Sequence, residues 1–371
     1  MGNERRYSLD VLRIIATILI IFHHYQQVIG GYFEGHINFW NGRFYFGYIV
    51  EFFFLLSGYF MYRYVEKVNK GLPFKEFFIP RVLRLLPLVF VSSVVEQTFL
   101  GIYKATCAGG TGFDSVSISV WGVVLNALGL QSGWVFNGYM INNPTWYISV
   151  LLLCYVVFYL LTYLSNRWQV PHVYLFIFMV LLGCGVQTFG LNLPFLNGSS
   201  CRGYYAFFFG VLLSEWLEKL NAAKRPQNIY IYIYIFWGSV ISVAFLLCMM
   251  IYRWEWVAGG INYLMTFWFY PALIIIFSSG PLTRLFDHRF IGTLGKITYD
   301  AYIWHCPNFL LLYIIPTITG KSWDLLTAKA MLVYTAVSFA VGAASYYALE
   351  RPINRWIDKI RVERAVTNKV H

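Results

Sequence analysis

The sequence predicts an all-α integral membrane protein of about ten transmembrane helices, with its N- and C-termini in the cytoplasm. Three observations carry that prediction. Only 12% of the 371 residues are charged, about half the share usual in soluble chains. Aromatic residues make up 20% (33 Phe, 29 Tyr, 13 Trp), as belts at two membrane interfaces require. Apolar stretches of spanning length recur along the whole chain, at 9–29, 46–66, 78–102, 144–165, 172–191, 203–220, 227–252, 260–279, 290–316 and 325–349. They are read as one transmembrane domain over 1–371, with a basic cytoplasmic tail at 350–371.

The first stretch reads LDVLRIIATILIIFHHYQQVI. About 20 apolar residues at 1.5 Å each cross a bilayer core. No small-residue cleavage site follows, so with Arg5 and Arg6 ahead of it the stretch reads as a retained anchor. It holds Arg13, His23 and His24, and ionisable groups inside a span are functional candidates by default. Eleven residues at about 100° bring Arg13 and His24 onto one face, roughly 16 Å apart, with His23 about 80° away. The face with Asp10, Arg13, Thr17 and His24 is expected to look into the protein, and the Ile, Leu and Phe residues at lipid. The alternative puts Arg13 at one interface and the histidines at the other.

Span two carries Glu51 and then FFFLLSGYF, where Ser57 and Gly58 allow a neighbouring helix to come close. Span three opens FIPRVLRLLP, with Arg81 and Arg84 three apart on one face at the cytoplasmic end. Two forked guanidiniums there suit a phosphate or pyrophosphate; they equally suit lipid phosphates under the positive-inside rule. The segment 103–143 is the longest external one, and its apolar piece 116–130 is too short to span comfortably. It reads as an interfacial or re-entrant helix in a segment that is either an acceptor-binding lid or an ordered loop. Span four opens PTWYISVLLL and contributes Trp146. The Ile–Tyr alternation at 229–236 looks like a strand, but an open strand cannot cross lipid, so a helix is expected. Span nine reads ITYDAYIWHCPNFLLL, with Tyr302 and His305. His305 lies roughly 22 Å past the cytoplasmic start, a depth His24 also reaches, so two histidines are placed to flank one cavity. Span ten ends ALERPINRW, where Glu350 and Arg351 read as a local ion pair at a helix end.

Charge sets the orientation. With the N-terminus inside, 22 of the 28 Lys and Arg residues fall on the cytoplasmic side. Arg43, Lys104, Arg202, Arg253, Lys321 and Lys329 remain outside. The net charge of +11 therefore lines one membrane face and forms no nucleic-acid-binding stripe. Six cysteines without paired spacing indicate neither a metal site nor a disulfide framework. Cys154, Cys184, Cys248 and Cys306 lie in apolar runs and read as packing residues. No internal repeat stands out, which disfavours an inverted-repeat transporter.

Six separated motifs, in order, resemble the acyltransferase-3 family of integral membrane O-acyltransferases: YSLDVLRIIATILIIFHH, EFFFLLSGYF, RVLRLLP, PTWYISVLLL, ITYDAYIWH and LERPINRW. The likeness covers most of the chain. It implies Arg13 and His24 as the first-helix Arg and His, Arg81 and Arg84 as the third-helix arginines, and His305 as the late His. Two departures stand out. His23 adjoins His24, and apolar Val150 and Leu151 stand where many members carry an acid after the Trp. The resemblance implies transfer of an acyl group, acetyl first, from cytoplasmic acyl-CoA to a hydroxyl of an envelope polysaccharide or lipid-linked sugar. Acyl-CoA would be a co-substrate, with no permanently bound cofactor and no metal. On this layout Arg81 and Arg84 hold the CoA phosphates, and His24 is the general base. Arg13 orients the donor arm, and His305 and Tyr302 donate to the oxyanion. Trp146, Glu51, Ser57, Glu350 and Arg351 complete the candidate binding set. The expected partners are membrane lipid, the donor and the glycan acceptor, with no nucleic acid and the oligomeric state open. The expected location is a bacterial plasma membrane. A sugar-lipid transporter or flippase is the rival reading, and an acyltransferase-like sensor a third.

Overall fold

The computed structural model describes residues 7–30, 38–41, 44–107, 109–135, 138, 141–222, 229–278, 283, 285–286, 288–357 and 359. Arg5, Arg6, Arg43, the breaks at 223–226 and 280–281, and most of the basic tail lie outside them. Among the described residues the protein is helical throughout, with one isolated bridge, Leu193 to Leu196, as its sole β pairing. The run from 229 is helical, as lipid requires of a spanning backbone.

The helices are α1 (Ser8–Ile29), α2 (Ile49–Met61), α3 (Val65–Asn69), α4 (Phe74–Thr106), α5 (Val120–Leu128), α6 (Thr145–Trp168) and α7 (His172–Phe189). They continue as α8 (Gly198–Ala222), α9 (Ile229–Tyr252), α10 (Trp254–Val257), α11 (Ile261–Leu264), α12 (Tyr270–Ser278), α13 (Arg289–Thr319) and α14 (Ala328–Ser345). Short π turns at Met265–Phe269 and Tyr346–Glu350 lead into α12 and follow α14. Among the described residues, eight helical segments are long and apolar enough to cross a membrane: α1, α4, α6, α7, Ile233–Tyr252, Trp254–Ser278, α13 and Ala328–Ile357. Two of the ten expected spans stay outside that set. α2 is 13 residues long and passes into a 3-10 turn at Tyr62–Tyr64. α8 carries Arg202, Glu215, Glu218 and Lys219. By its internal contacts the chain divides into two compact units, Met1–Gly71 with Val157–Lys296 and Leu72–Val156 with Ile297–His371.

In the first unit, α2 and α8 press backbone to backbone. A β-carbon on Gly58 would overlap the Phe207 carbonyl oxygen, and one on Gly210 the Leu55 carbonyl oxygen. This is the close approach that Ser57-Gly58 announces, the small-residue contact by which helices gain dispersion in lipid. α1 lies against both α2 and α12. Consequently Leu9, Leu12, Ala16, Ile20 and Ile21 are buried together with Asp10, Thr17, His23 and His24. The expected lipid-facing apolar side of α1 is therefore corrected: neighbours cover more than one face, and Ile15 is its one clearly exposed large side chain. α1 ends at Gly30, whose φ of +68° no β-branched residue would adopt at low cost and whose N–H reaches Gln26 O at 3.0 Å.

In the second unit, α4 and α13 run side by side. Leu100 and Tyr103 share a core cluster with Leu310 and Ile314. Pro307 lies inside α13 and supplies no N–H to the Ile303 carbonyl one turn back. Asn142 fills that role, donating from Nδ2 to Ile303 O at 2.9 Å. The short helix read from 116–130 is α5, and the residues after it fold back onto α6. Gln131 Nε2 donates to Thr145 O at 2.9 Å, and Ser149 Oγ donates to Gly129 O at 2.7 Å.

Candidate functional site

The sequence-derived candidates divide between the units. Arg13, His23, His24, Glu51 and Ser57 belong to the first. Arg81, Arg84, Trp146, Tyr302, His305, Glu350 and Arg351 belong to the second.

At the start of α1, Arg13 bonds Asp10 Oδ1 at 3.1 Å and lies over the Phe60 ring at 5.2 Å. Its side chain keeps 32% exposure, so it is half in and half out of the packed interior. At the far end both histidines are buried. His23 is walled by the rings of His24, Trp40 and Tyr45 at 5.0, 4.8 and 5.0 Å. Its Nδ1 lies 2.9 Å from Phe39 O. A carbonyl only accepts, so Nδ1 carries the hydrogen. Gln26 Oε1 accepts from the N–H of the same Phe39 at 2.5 Å, so α1 holds this residue by both its N–H and its carbonyl. His23 thus holds the connection to α2. His24 Nδ1 lies 2.7 Å from Gln27 Oε1, which places the Nε2 lone pair on the opposite edge of the ring.

The Phe39 carbonyl also accepts from Phe46 N–H at 3.1 Å. That turn is held in its own right. Arg202 Nη2 donates to Gly47 O at 2.6 Å, and Tyr270 donates to Tyr48 O at 2.9 Å. Arg202 in turn makes a two-pronged bond to Glu51, Nε to Oε1 at 2.6 Å and Nη2 to Oε2 at 2.7 Å. Tyr205 adds a third donor to Glu51 at 2.9 Å. The Glu51 side chain is 1% exposed. Sequence reasoning placed Arg202 among the external charges and Glu51 in the binding set; the structure joins them as an ion pair with a buried acid and a partly exposed arginine. The signal in the sequence was an arginine at the start of an apolar helix together with an acid inside another.

In the second unit, Arg81 turns back along α4, donating to Phe77 O and stacking over the Phe77 ring, with Tyr155 5.3 Å away. Arg84 is exposed and makes no hydrogen bond or ion pair among the described residues; it lines a small cavity with Pro87, Leu88 and Glu350. Trp146 is partly buried in the first turn of α6. Glu350 is buried and accepts from Asn354 Nδ2 at 3.1 Å, whereas Arg351 is exposed over Tyr347. The expected Glu350–Arg351 pair is absent among the described residues, because consecutive helical residues project about 100° apart.

His305 is fully buried on α13, and its Nδ1 donates to Tyr302 O at 2.6 Å. In the neutral ring Nε2 is therefore the acceptor end. The Tyr302 hydroxyl donates to Pro144 O at 3.0 Å, and its ring meets Tyr147 at 5.9 Å. The hydroxyl hydrogen of Tyr302 is thus on Pro144 O, and the Nδ1 hydrogen of His305 is on Tyr302 O. All six cysteines are free.

The curated relatives include a Staphylococcus aureus (strain COL) protein named "Putative O-acetyltransferase", 23% identical over 334 residues, 82% of this chain and 51% of that protein. The peptidoglycan O-acetyltransferase OatA of Listeria monocytogenes is 22% identical over 389 residues, covering 95% of this chain and 56% of OatA. The chain thus spans about half the length of the curated relatives it matches. No solved structure matches. The family model described as an acyltransferase domain matches residues 6–349, nearly the whole described protein, and the chain belongs to the acyltransferase-3 family.

Proposed function

We propose that this chain is a membrane-embedded O-acyltransferase. It moves an acyl group, acetyl first, from cytoplasmic acyl-CoA to a hydroxyl of a cell-envelope polysaccharide or lipid-linked sugar. The names of its relatives support acetyl and an envelope polymer. The observation that carries the chemistry is a buried histidine, His24, whose Nδ1 hydrogen bond aims the Nε2 lone pair away from Gln27. His24 Nε2 takes the acceptor O–H proton, the alkoxide oxygen attacks the thioester carbonyl, and the CoA thiolate leaves and recovers the proton. His305, with the same tautomer by its bond to Tyr302 O, is the second base this layout offers. Exposed Arg84, with Arg81 one turn back, takes the CoA phosphates. Ten spans follow if α2 and α8 also cross, and the Lys and Arg distribution supports cytoplasmic termini in a bacterial plasma membrane.

Sealed vesicles test this reading. Inside-out vesicles are expected to use acyl-CoA from the bath and label glycan in their lumen; right-side-out vesicles should do so only with acyl-CoA loaded inside. Glycan movement without covalent label would identify the transporter instead. Equal use of external acyl-CoA by both vesicle types would overturn transfer across the membrane.

A further inference from the structure

The second unit contains an intramembrane acid that the reaction above leaves unused. Glu96 lies in the middle of α4, within a segment apolar enough to span. Its Oε2 is shut off from solvent and has no hydrogen-bond partner among the described residues. A carboxyl in that setting carries a large desolvation cost, and spans retain such groups where function requires them.

The surroundings define a seam. One turn before Glu96, Ser92 and Ser93 are fully buried and both bond back to Val89 O. Ser92 Oγ also accepts from Asn142 Nδ2 at 3.1 Å. Asn142 is 0% exposed, and its amide is fixed in orientation because the same nitrogen donates to the Ile303 carbonyl. Its Oδ1 therefore points elsewhere, and it too is buried with no donor. On α13, within one turn past Ile303, His305 and Cys306 are both buried. Two buried acceptor oxygens without donors thus share one stretch of the α4–α13 contact. Arg84 is twelve residues earlier on α4, about 18 Å along the helix.

A ligand chain with two N–H donors would satisfy both oxygens. The arm of coenzyme A joins its phosphates to its thioester and carries two secondary amides, each with an N–H. We propose that Glu96 and Asn142 form the donor-arm site, their unpartnered oxygens accepting the amide N–H groups of the pantetheine chain while Arg84 holds the phosphate end. The assignment rests on the acyl-CoA reading above. It makes α4 a ruler that sets the thioester beside His305.

The test is equilibrium binding of acetyl-CoA and of acetyl-pantetheine, which lacks the nucleotide and its phosphates, to the purified full chain. Glu96→Met is expected to weaken both ligands about tenfold, and Glu96→Gln, which keeps one acceptor oxygen, about threefold. Arg84→Ala is expected to weaken acetyl-CoA alone. Glu96→Met should also hold or raise the thermal unfolding midpoint, because it removes a buried carboxyl that lacks a partner. Unchanged binding of both ligands by either Glu96 variant overturns the proposal, as does a loss confined to acetyl-CoA. A fall in the unfolding midpoint with unchanged binding assigns Glu96 to packing and overturns it too. If the wild-type chain binds neither ligand, the acyl-CoA reading itself fails.

Discussion

The histidine end of α1 and the α4–α13 seam both bury polar groups inside apolar helices, yet they treat them oppositely. At the histidine end of α1, donors and acceptors are linked in one run. Glu51 binds Arg202, Arg202 binds Gly47 O, and the turn beyond it hands Phe46 N–H to the carbonyl that also receives His23. Along the seam, Glu96 Oε2 and Asn142 Oδ1 meet no donor. A matched network fixes geometry, since removing any partner exposes another to the full desolvation penalty. An unmatched group is a loss to stability that a bound ligand can recover. The first region reads as a frame that holds a base; the second reads as a surface that receives a substrate.

The largest expected effect breaks the frame at its functional end. His24→Ala should lower turnover about 10²- to 10⁴-fold while the protein remains inserted and folded, because it removes the proposed base. His23→Gln should cost less than tenfold, since an amide N–H can still reach Phe39 O. Steady-state transfer assays on both variants decide the matter. A dead His23→Gln beside an active His24→Ala would exchange the roles of the two histidines.

Next in size is the frame itself. Glu51→Met alone strands a guanidinium and Arg202→Met alone strands a carboxylate that is 1% exposed. Arg202→Met should destabilise by about 3–5 kcal/mol, the cost of an uncompensated buried charge, and Glu51→Met by less, because the guanidinium it leaves is 25% exposed. The double variant Glu51→Met/Arg202→Met should recover most of that loss in thermal or denaturant unfolding. Transfer activity should stay low in the double variant, because the Gly47 carbonyl has lost its donor and the turn that serves Phe39 is no longer pinned. Full activity there would reduce the pair to packing.

Much of this frame was legible before the structure. Span-length apolar runs, the helical state of 229–236 and the close approach at Gly58 follow from backbone chemistry and residue size, which act locally. The Glu51–Arg202 bond links residues 151 positions apart, and no periodicity reports such a pairing. Glu96 escaped notice because one acid in an apolar helix declares neither its burial nor its neighbours. The facing argument for α1 failed in part for a similar reason. It assumed lipid on one side, whereas α2 and α12 cover the helix more widely. The tautomers of His23 and His305 depend on carbonyls at Phe39 and Tyr302, which sequence spacing alone cannot aim.

A smaller effect is expected at the mouth of the seam. Arg84→Ala should raise the Michaelis constant for acyl-CoA about tenfold with little change in turnover, as for a lost ground-state contact to phosphate. Arg81→Ala should do less, because that guanidinium is already folded onto Phe77 and Tyr155. Unchanged constants in both variants would return these arginines to lipid anchoring.

The smallest effect probes the loop after α4, where matching is complete but exposed. Asp114 accepts from the Tyr103 hydroxyl at 2.7 Å and from the backbone N–H groups of Gly110 and Thr111 at 2.7 and 3.0 Å. Thr111 closes the reciprocal capping box. The Tyr103 hydrogen bond, with these amides and Lys104 behind it, holds the Asp114 carboxyl below the ordinary aspartate value of 3.8. The sign follows from that depression. Protons bind the released loop more tightly than the closed one, so the closed loop is favoured above about pH 4. That advantage disappears as pH falls through the lowered value. Amide hydrogen exchange at Gly110 and Thr111 should therefore show protection above about pH 4 that weakens on acidification, after correction for intrinsic rates. Asp114→Asn should flatten the profile, because a neutral amide oxygen has no charge to lose. A wild-type profile as flat as that of Asp114→Asn would show that the carboxylate does not hold this loop.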